Sequence, residues 1–312
     1  MIFQNKKIAL LLCYLCLFGT ALAQGHGDAN LMLVNGRIHT LDSSSSIVSS
    51  VLIQNGRIVA VGDDIEQTTG DVEVIDLEGH VAIPGLIDSH IHFIRAGLRP
   101  GFDTRGIESA RSISELQAVI AARAAEVPDD VFVTGVGGWS PVQFRENRFP
   151  TQAELDEVAP DQPVYIHLRA NGPAVTNSAG QPFFEAAGIN VGPDGMIPAG
   201  GMGAAPGNAV DAYDLLKATR SEEDKQRSTR ELMAYANSLG LTTVIDAAGT
   251  NRPGAQLLIP AEDYEPIMEV WRRKEMTVRV RPMFMSWDLE VGDGSGSSEI
   301  EERIRNSFMG HG

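Results

Sequence analysis

Cysteine is nearly absent from this chain. The 312 residues contain two, Cys13 and Cys16, and both lie within the first 23 positions. The rest of the sequence therefore has no disulfide framework, no thiolate nucleophile and no cysteine-built zinc site. Basic residues are also scarce, with 25 Lys and Arg against 41 Asp and Glu and a formal net charge of −16. Binding to a phosphate backbone needs a basic footprint, so the balance argues against a nucleic-acid partner. Beyond the N-terminus no apolar run is long enough to cross a bilayer. What is present in quantity is core: 43% of the residues are hydrophobic and 21% charged, which marks a globular chain of one large domain or two.

Residues 1–23 read as a targeting segment. Lys6 and Lys7 form a basic start, Ile8 to Phe18 an apolar stretch, and Ala21-Leu22-Ala23 a small-x-small cleavage site before Gln24. Neither cysteine follows the small residues as a lipoprotein signal would require. The expectation is an exported protein, periplasmic or extracellular, with no membrane contact after cleavage; a retained anchor is the alternative that the shortness of the run disfavours.

Residues 24–85 carry hairpin signals. Asn35-Gly36 and Asn55-Gly56 each separate two alternating apolar runs, and Glu78-Gly79 looks similar between Val72–Leu77 and His80–Ile83. Asn-Gly supplies the two positive-φ residues that a tight hairpin needs. Three hairpins are expected, forming a small β unit that ends at Pro84-Gly85.

Residues 94–230 change character. Ser112 and Thr151 precede helical segments, each with Glu three residues on, the pattern of a capping box. Val131–Val136 and Val164–Leu168 read as strands, and the Gly-, Pro- and Ala-rich stretch 186–210 as a long loop suited to a lid or a binding surface. A helix is expected over 222–239, capped by Ser221 and closed by Gly240, then a strand at 241–247, a helix at 261–275, a strand at 278–285, a Gly/Ser stretch at 291–298 and a helix from Glu299. Helix and strand alternating in this way signal βα units around a parallel sheet.

Between the two regions runs Leu86-Ile87-Asp88-Ser89-His90-Ile91-His92-Phe93. Strand side chains alternate faces, so His90 and His92 would point the same way and could hold one divalent metal. Two core histidines with satisfied ring nitrogens would fit the bare spacing equally well. The apolar residues around the pair suggest a central, rigid strand.

The longer run Val81-Ala82-Ile83-Pro84-Gly85-Leu86-Ile87-Asp88-Ser89-His90-Ile91-His92 resembles the strand-one signature of the amidohydrolase superfamily. The segments "LVNGRIHTLD", "VLIQNGRIVAVGD" and "VEVIDLEGHVAIPG" are similar to the N-terminal β-sandwich segment of those enzymes. "PTQAELDEVAPDQPVYIH", "AVTNSAG" and "LGLTTVIDAAG" occur in the order seen in the YtcJ-like branch, relatives of N-substituted formamide deformylases, which carries a long insertion after strand one. The resemblance implies a metal-dependent hydrolase of non-peptide carbon–nitrogen bonds in small-molecule substrates, on a (β/α)8 barrel, with His90 and His92 as the first metal ligands and zinc as the default ion. It divides the chain into a sandwich segment at 24–85, barrel strand one at 86–93, an α+β insertion at 94–230, and barrel units two and three at 231–312.

Several parts of the family pattern are missing. No histidine lies between His167 and His311, and the lysines after residue 23 (Lys217, Lys225 and Lys274) all fall in helical stretches. The later histidine ligands, a strand lysine for carboxylation and the general base therefore have no match. With the insertion set aside, the length after Leu86 supplies about three βα units where a barrel needs eight. The expectation is a partial barrel ending before strand four, with an unpaired edge at 278–285. A separate chain carrying the missing C-terminal half is a candidate partner. Relatives often have Asp-Gly-His near 170–173 where this chain has Ala170-Asn171-Gly172-Pro173, so the substrate class does not carry over.

Other candidates each have a plainer reading. Asp88 can support a ligand from behind or serve as a strand-end hydrogen-bond acceptor. Asp246, ending "TTVID", can face a substrate pocket or cap a helix. Trp139 can line that pocket or fill the core; Asn171 can offer it an amide contact; His167 reads as a core histidine. The competing functional class is a non-catalytic exported module that binds a ligand or partner through the insertion and its 186–210 loop.

Overall fold

The computed structural model describes residues 30–66, 72–168, 171–201, 203–250 and 259–284. The expected signal segment, the Gly/Ser stretch at 291–298 and the helix from Glu299 lie outside the described residues. The described chain forms mixed α/β sheets and divides into two compact units.

The first unit takes residues up to Gly36 and Val48–His80. Its strands are β1 (Leu31–Val34), β4 (Ser50–Gln54), β5 (Arg57–Gly62) and β6 (Glu73–Asp76), in the order β5-β4-β1-β6. Among its described residues, Met32, Val51 and Leu52 are the buried apolar ones. The expected hairpin at Asn55-Gly56 is present: β4 and β5 pair antiparallel, and the two turn residues have φ of 49° and 70°. The other two hairpins do not form. β1 pairs with β4 and, in parallel, with β6, whereas β2 (Arg37–His39) pairs in parallel with β7 (Val81–Ala82). Asn35 and Glu78 do have positive φ, yet their corners lie side by side, with Gly79 N–H on the Asn35 carbonyl at 2.7 Å and Asn35 Nδ2 on Asp76 at 3.0 Å. The left-handed residues turn the chain without folding it back on itself.

The second unit takes Arg37–Ile47 and the chain from Val81 onward. One sheet consists of parallel strands, β14 (Leu241–Thr250) lying between β8 (Leu86–Ile91) and β16 (Arg279–Phe284), with β15 (Ile259–Pro260) alongside the end of β14. Three helices pack on this sheet: α1 (Phe93–Gly97), α6 (Glu222–Ser238) and α7 (Glu265–Arg272). Phe93 and Ile94 meet Leu232, Met233 and Ala236 of α6, Ile267 and Val270 of α7, and Val244 and Val278 below them. Gly85 passes so close to β14 that a Cβ there would fall 2.2 Å from a Thr242 side-chain carbon, so only glycine lets β8 dock in register.

The intervening segment builds its own sheet from β9 (Phe102–Asp103), β10 (Val133–Val136), β11 (Val164–His167), β12 (Ala174–Thr176) and β13 (Met196–Ile197), in the order β13-β12-β11-β10-β9. Side chains alternate across it. Val164, Ile166 and Val175 face Ile113, Leu116 and Ile120 of α2 (Ile113–Ala124), while Tyr165 and Ala174 face Phe184 of α4 (Gln181–Ala186) and Leu216 of α5 (Ala209–Ala218). Both faces are covered, which is why every residue of β11 is buried. The stretch 186–210, expected as loop, supplies β13, because Met196 and Ile197 pair antiparallel with Val175 and Ala174.

Helix starts follow local chemistry. Ser112, Thr151 and Ser221 each accept a backbone N–H three residues on, at the heads of α2, α3 (Gln152–Asp156) and α6. Ser112 is buried, so its hydroxyl has no water to take over. Ser112→Ala should lower stability by about 1 kcal/mol, read as a shift of the denaturant midpoint at unchanged slope. Among the described residues no helix is long and apolar enough to cross a membrane.

Candidate metal centre

β8 delivers the histidine pair. Its backbone lies beside β14 with Asp88 opposite Val244 and Ile91 opposite Asp246, and the register shifts between those pairs. Asp88 Oδ1 accepts the backbone N–H of His90 at 2.9 Å, the strand-end role. The strand stops at Ile91, one residue before its expected last histidine. His92 is the N-cap of α1, with φ −93° and ψ 65°. Alternation along a strand therefore does not explain the pairing of the two rings; the turn into α1 does. The ring centroids lie 5.9 Å apart, edge to face at 64°.

Both histidines are exposed, as are Leu86 and Ile87 before them. β8 pairs with β14 alone among the described residues, so it is an edge strand here and not a central one. The His92 imidazole is held below its ordinary pKa, first by partial burial and then by the positive charges of Arg95 and His90, with Asp246 opposing. A neutral ring presents a lone pair, the state that a metal requires.

Asp246 lies one strand over and is completely buried. Its Oδ1 accepts the backbone N–H of Ile94 at 3.0 Å, and its Oδ2 accepts the hydroxyl of Tyr264 at 2.6 Å. Oδ1 thus serves the start of the helix that follows His92, which is the capping alternative, while Oδ2 is taken by the residue at the head of α7. Burial and this bond push the Tyr264 hydroxyl well above its usual pKa, so it stays a donor. Tyr264 had no signal in the sequence beyond the rule that a buried tyrosine needs a partner for its hydroxyl.

The other candidates lie in the insertion. Trp139 is packed into its core, stacked on Phe144 at 5.8 Å and edge-on to Phe149 at 5.4 Å, with its indole N–H on the His167 carbonyl at 3.2 Å. His167 is wholly buried, as a core histidine would be. Asn171 is exposed and lies close to Gly201. Among the described residues no group of three or more His, Cys, Asp and Glu gathers at metal distance, so the two imidazoles fit the first half of a ligand set and no more.

A family model described as the amidohydrolase family matches residues 73–307, about three quarters of the chain. The chain belongs to the amidohydrolase family. It is 29% identical to the N-substituted formamide deformylase of Arthrobacter pascens over 238 residues, which is 71% of this chain and 43% of that protein. It is 29% identical to the protein LONG AFTER FAR-RED 3 of Arabidopsis thaliana, over 87% of this chain and 48% of that one. The amidohydrolase YtcJ of Bacillus subtilis is 31% identical across 50% of this chain and 29% of its own. Among solved structures, a metal-dependent hydrolase of Pyrococcus horikoshii aligns over 91% of this chain and 52% of its own, at 20% identity and a TM-score of 0.48. The chain thus spans about half the length, or less, of these curated relatives.

Proposed function

We propose that this chain is the N-terminal part of an exported, metal-dependent amidohydrolase that cleaves a non-peptide carbon–nitrogen bond in a small molecule. The observation that carries the reading is the histidine pair at the C-terminal end of a parallel strand, inside a chain of this family. In this reading β8, β14 and β16 are the first three strands of a (β/α)8 barrel, residues 24–85 belong to a β-sandwich, and 94–230 is an insertion after strand one.

His90 and His92 would supply two nitrogen ligands to a divalent ion, zinc by default. Such an ion supplies Lewis-acid polarisation of the scissile carbonyl. The chain's own residues prepare the site: Asp88 fixes the backbone of His90, and the environment of His92 keeps its ring neutral at neutral pH. The remaining ligands and the general base would come from barrel strands four to eight, outside these 312 residues, and the same strands would cover the exposed Leu86, Ile87 and Met283.

Zinc titration of the chain lacking its first 23 residues tests the reading. One ion per chain is expected. His90→Ala or His92→Ala should weaken uptake by more than the roughly ten- to hundredfold that an outer contact is worth, with circular dichroism unchanged. A folded chain that takes up no zinc, and is indifferent to His90→Ala, would instead be a binding module working through its insertion.

A further inference from the structure

We infer that Asp246, together with Tyr264, is a positioning group for the histidine pair: it anchors α1 to strand β14 and so sets where His92 sits. The inference rests on the proposed metal role for its functional meaning, and on geometry for the placement itself.

α1 has only five residues and begins at the residue after His92. A single turn of helix this short has almost no stability of its own, because nucleation outweighs so few internal bonds. It must be held from outside, and it is held at both ends by charges of the right sign. At the N-terminus the Asp246 carboxylate takes the N–H of Ile94, a donor that the helix leaves unmatched and that the His92 side chain does not cap. At the C-terminus Arg105 donates from both terminal nitrogens to the Ala96 carbonyl at 3.2 Å, and Arg220 donates to the Leu98 carbonyl. An acid at the amino end and cations at the carboxyl end complement the helix dipole.

The amino-end contact bears on the histidines. Asp246 is the register partner of Ile91, the residue between His90 and His92. Its carboxylate therefore grips the chain two residues after His92 while its backbone lies against the residue before it. Asp246 is wholly buried, and the Tyr264 hydroxyl fixes its other oxygen, which leaves the carboxylate one orientation. A partner that hydrogen-bonds a ligand directly is worth roughly ten- to hundredfold in metal affinity, and Asp246, which acts through the backbone two residues on, belongs at the lower end of that range.

The test has a metal-free arm and a zinc arm, both on the chain lacking residues 1–23. In the metal-free arm, Asp246→Ala and Tyr264→Phe should each speed hydrogen exchange at the Ile94 amide and move the His92 ring resonances, while amides of Leu116 and Ile166 in the insertion keep their protection. Asp246→Asn, which retains an oxygen for Ile94, should recover most of the Ile94 protection. In the zinc arm, Tyr264→Phe should weaken binding roughly tenfold. A merely structural Asp246 would lower the melting temperature and leave the His92 resonances and the zinc affinity of the folded variants unchanged; that result overturns the inference. If the unaltered chain binds no zinc but the His92 resonances still respond to Asp246→Ala, the placement stands and the metal reading fails. If Asp246→Ala does not fold, Tyr264→Phe and Asp246→Asn decide the matter alone.

Discussion

Asp103→Ala is expected to cost about 3–5 kcal/mol of folding stability, the largest effect of any single substitution considered for this chain. Asp103 is the second and last residue of β9 and is buried to 1% exposure. Its Oδ2 accepts Arg99 at 2.8 Å and Arg105 at 3.0 Å, and its Oδ1 accepts the Val136 N–H at 3.2 Å. One carboxylate thus answers two guanidinium groups and one backbone donor. Removing it leaves both arginines facing each other's charge with little solvent, since their side chains are only 22% and 12% exposed. The cost comes from the charges left behind, not from any large net gain of the pair over apolar residues. A cavity of about 440 Å³ beside Asp103 and Arg105 admits some water and moves the expectation toward the lower figure. Arg105 also holds the end of α1, so the loss should spread to that helix. Chemical denaturation followed by tryptophan fluorescence reads the effect. A change below about 1 kcal/mol, the ordinary value of an exposed ion pair, would show that the cluster is solvated and that Asp103 is no keystone.

The sequence made some of this arrangement legible and hid the rest, and range decides which. Helix caps are written within four residues, so Ser112, Thr151 and Ser221 could be read where they stand, and each makes the bond that its spacing implies. Asn55-Gly56 was equally local and gave a true hairpin. Asn35-Gly36 and Glu78-Gly79 looked the same because the demand for positive φ is local too, but pairing is decided by partners far away. β1 found β4 and β6, and the strands after each corner found one another. A turn residue tells that the chain turns, not onto what it turns.

The histidine pair shows the same division. Its existence and its place after an apolar strand were visible. Its geometry was not, because the strand yields to a helix at Phe93 and puts His92 at the junction. What fixes that junction is Asp246, 152 residues from Ile94 along the chain and adjacent in space only because β14 lies next to β8. Tyr264, which orients Asp246, sits at the head of α7 in a segment with no distinguishing pattern. His167 reads as a core histidine from its place inside an apolar strand, and it is buried. Trp139 is open in the sequence between pocket wall and core, and only its packing on Phe144 and Phe149 puts it in the core.

His167 should make stability fall as the pH drops from about 6.5 to about 4, by about 3 kcal/mol in all. One ring nitrogen, Nε2, lies 3.2 Å from the Gly172 carbonyl and must donate to it, which leaves Nδ1 without a proton. Nδ1 is buried and has no hydrogen-bond partner among the described residues. The ring is flanked by Tyr165 on its own strand and Tyr213 of α5, each with its centroid 5.6 Å away. Both hydroxyls are pushed above their usual range by burial, so neither titrates in this window. Burial holds the His167 pKa down to about 4, against the weaker effect of the Gly172 bond. In the unfolded chain the same ring takes a proton near pH 6.5. Between these values the unfolded state binds the proton and the native state refuses it, so acid favours unfolding; above 6.5 neither state is charged and the stabilisation is complete. His92 is shifted in the same direction and adds to the slope. His167→Gln separates them, because glutamine keeps a donor for Gly172 and cannot titrate. Denaturant midpoints measured from pH 7 to pH 4.5 should fall steeply in the unaltered chain and much less in His167→Gln. Parallel curves would mean that the ring is already hydrated in the native state, and that the core of the insertion sheet opens to water beside Tyr213.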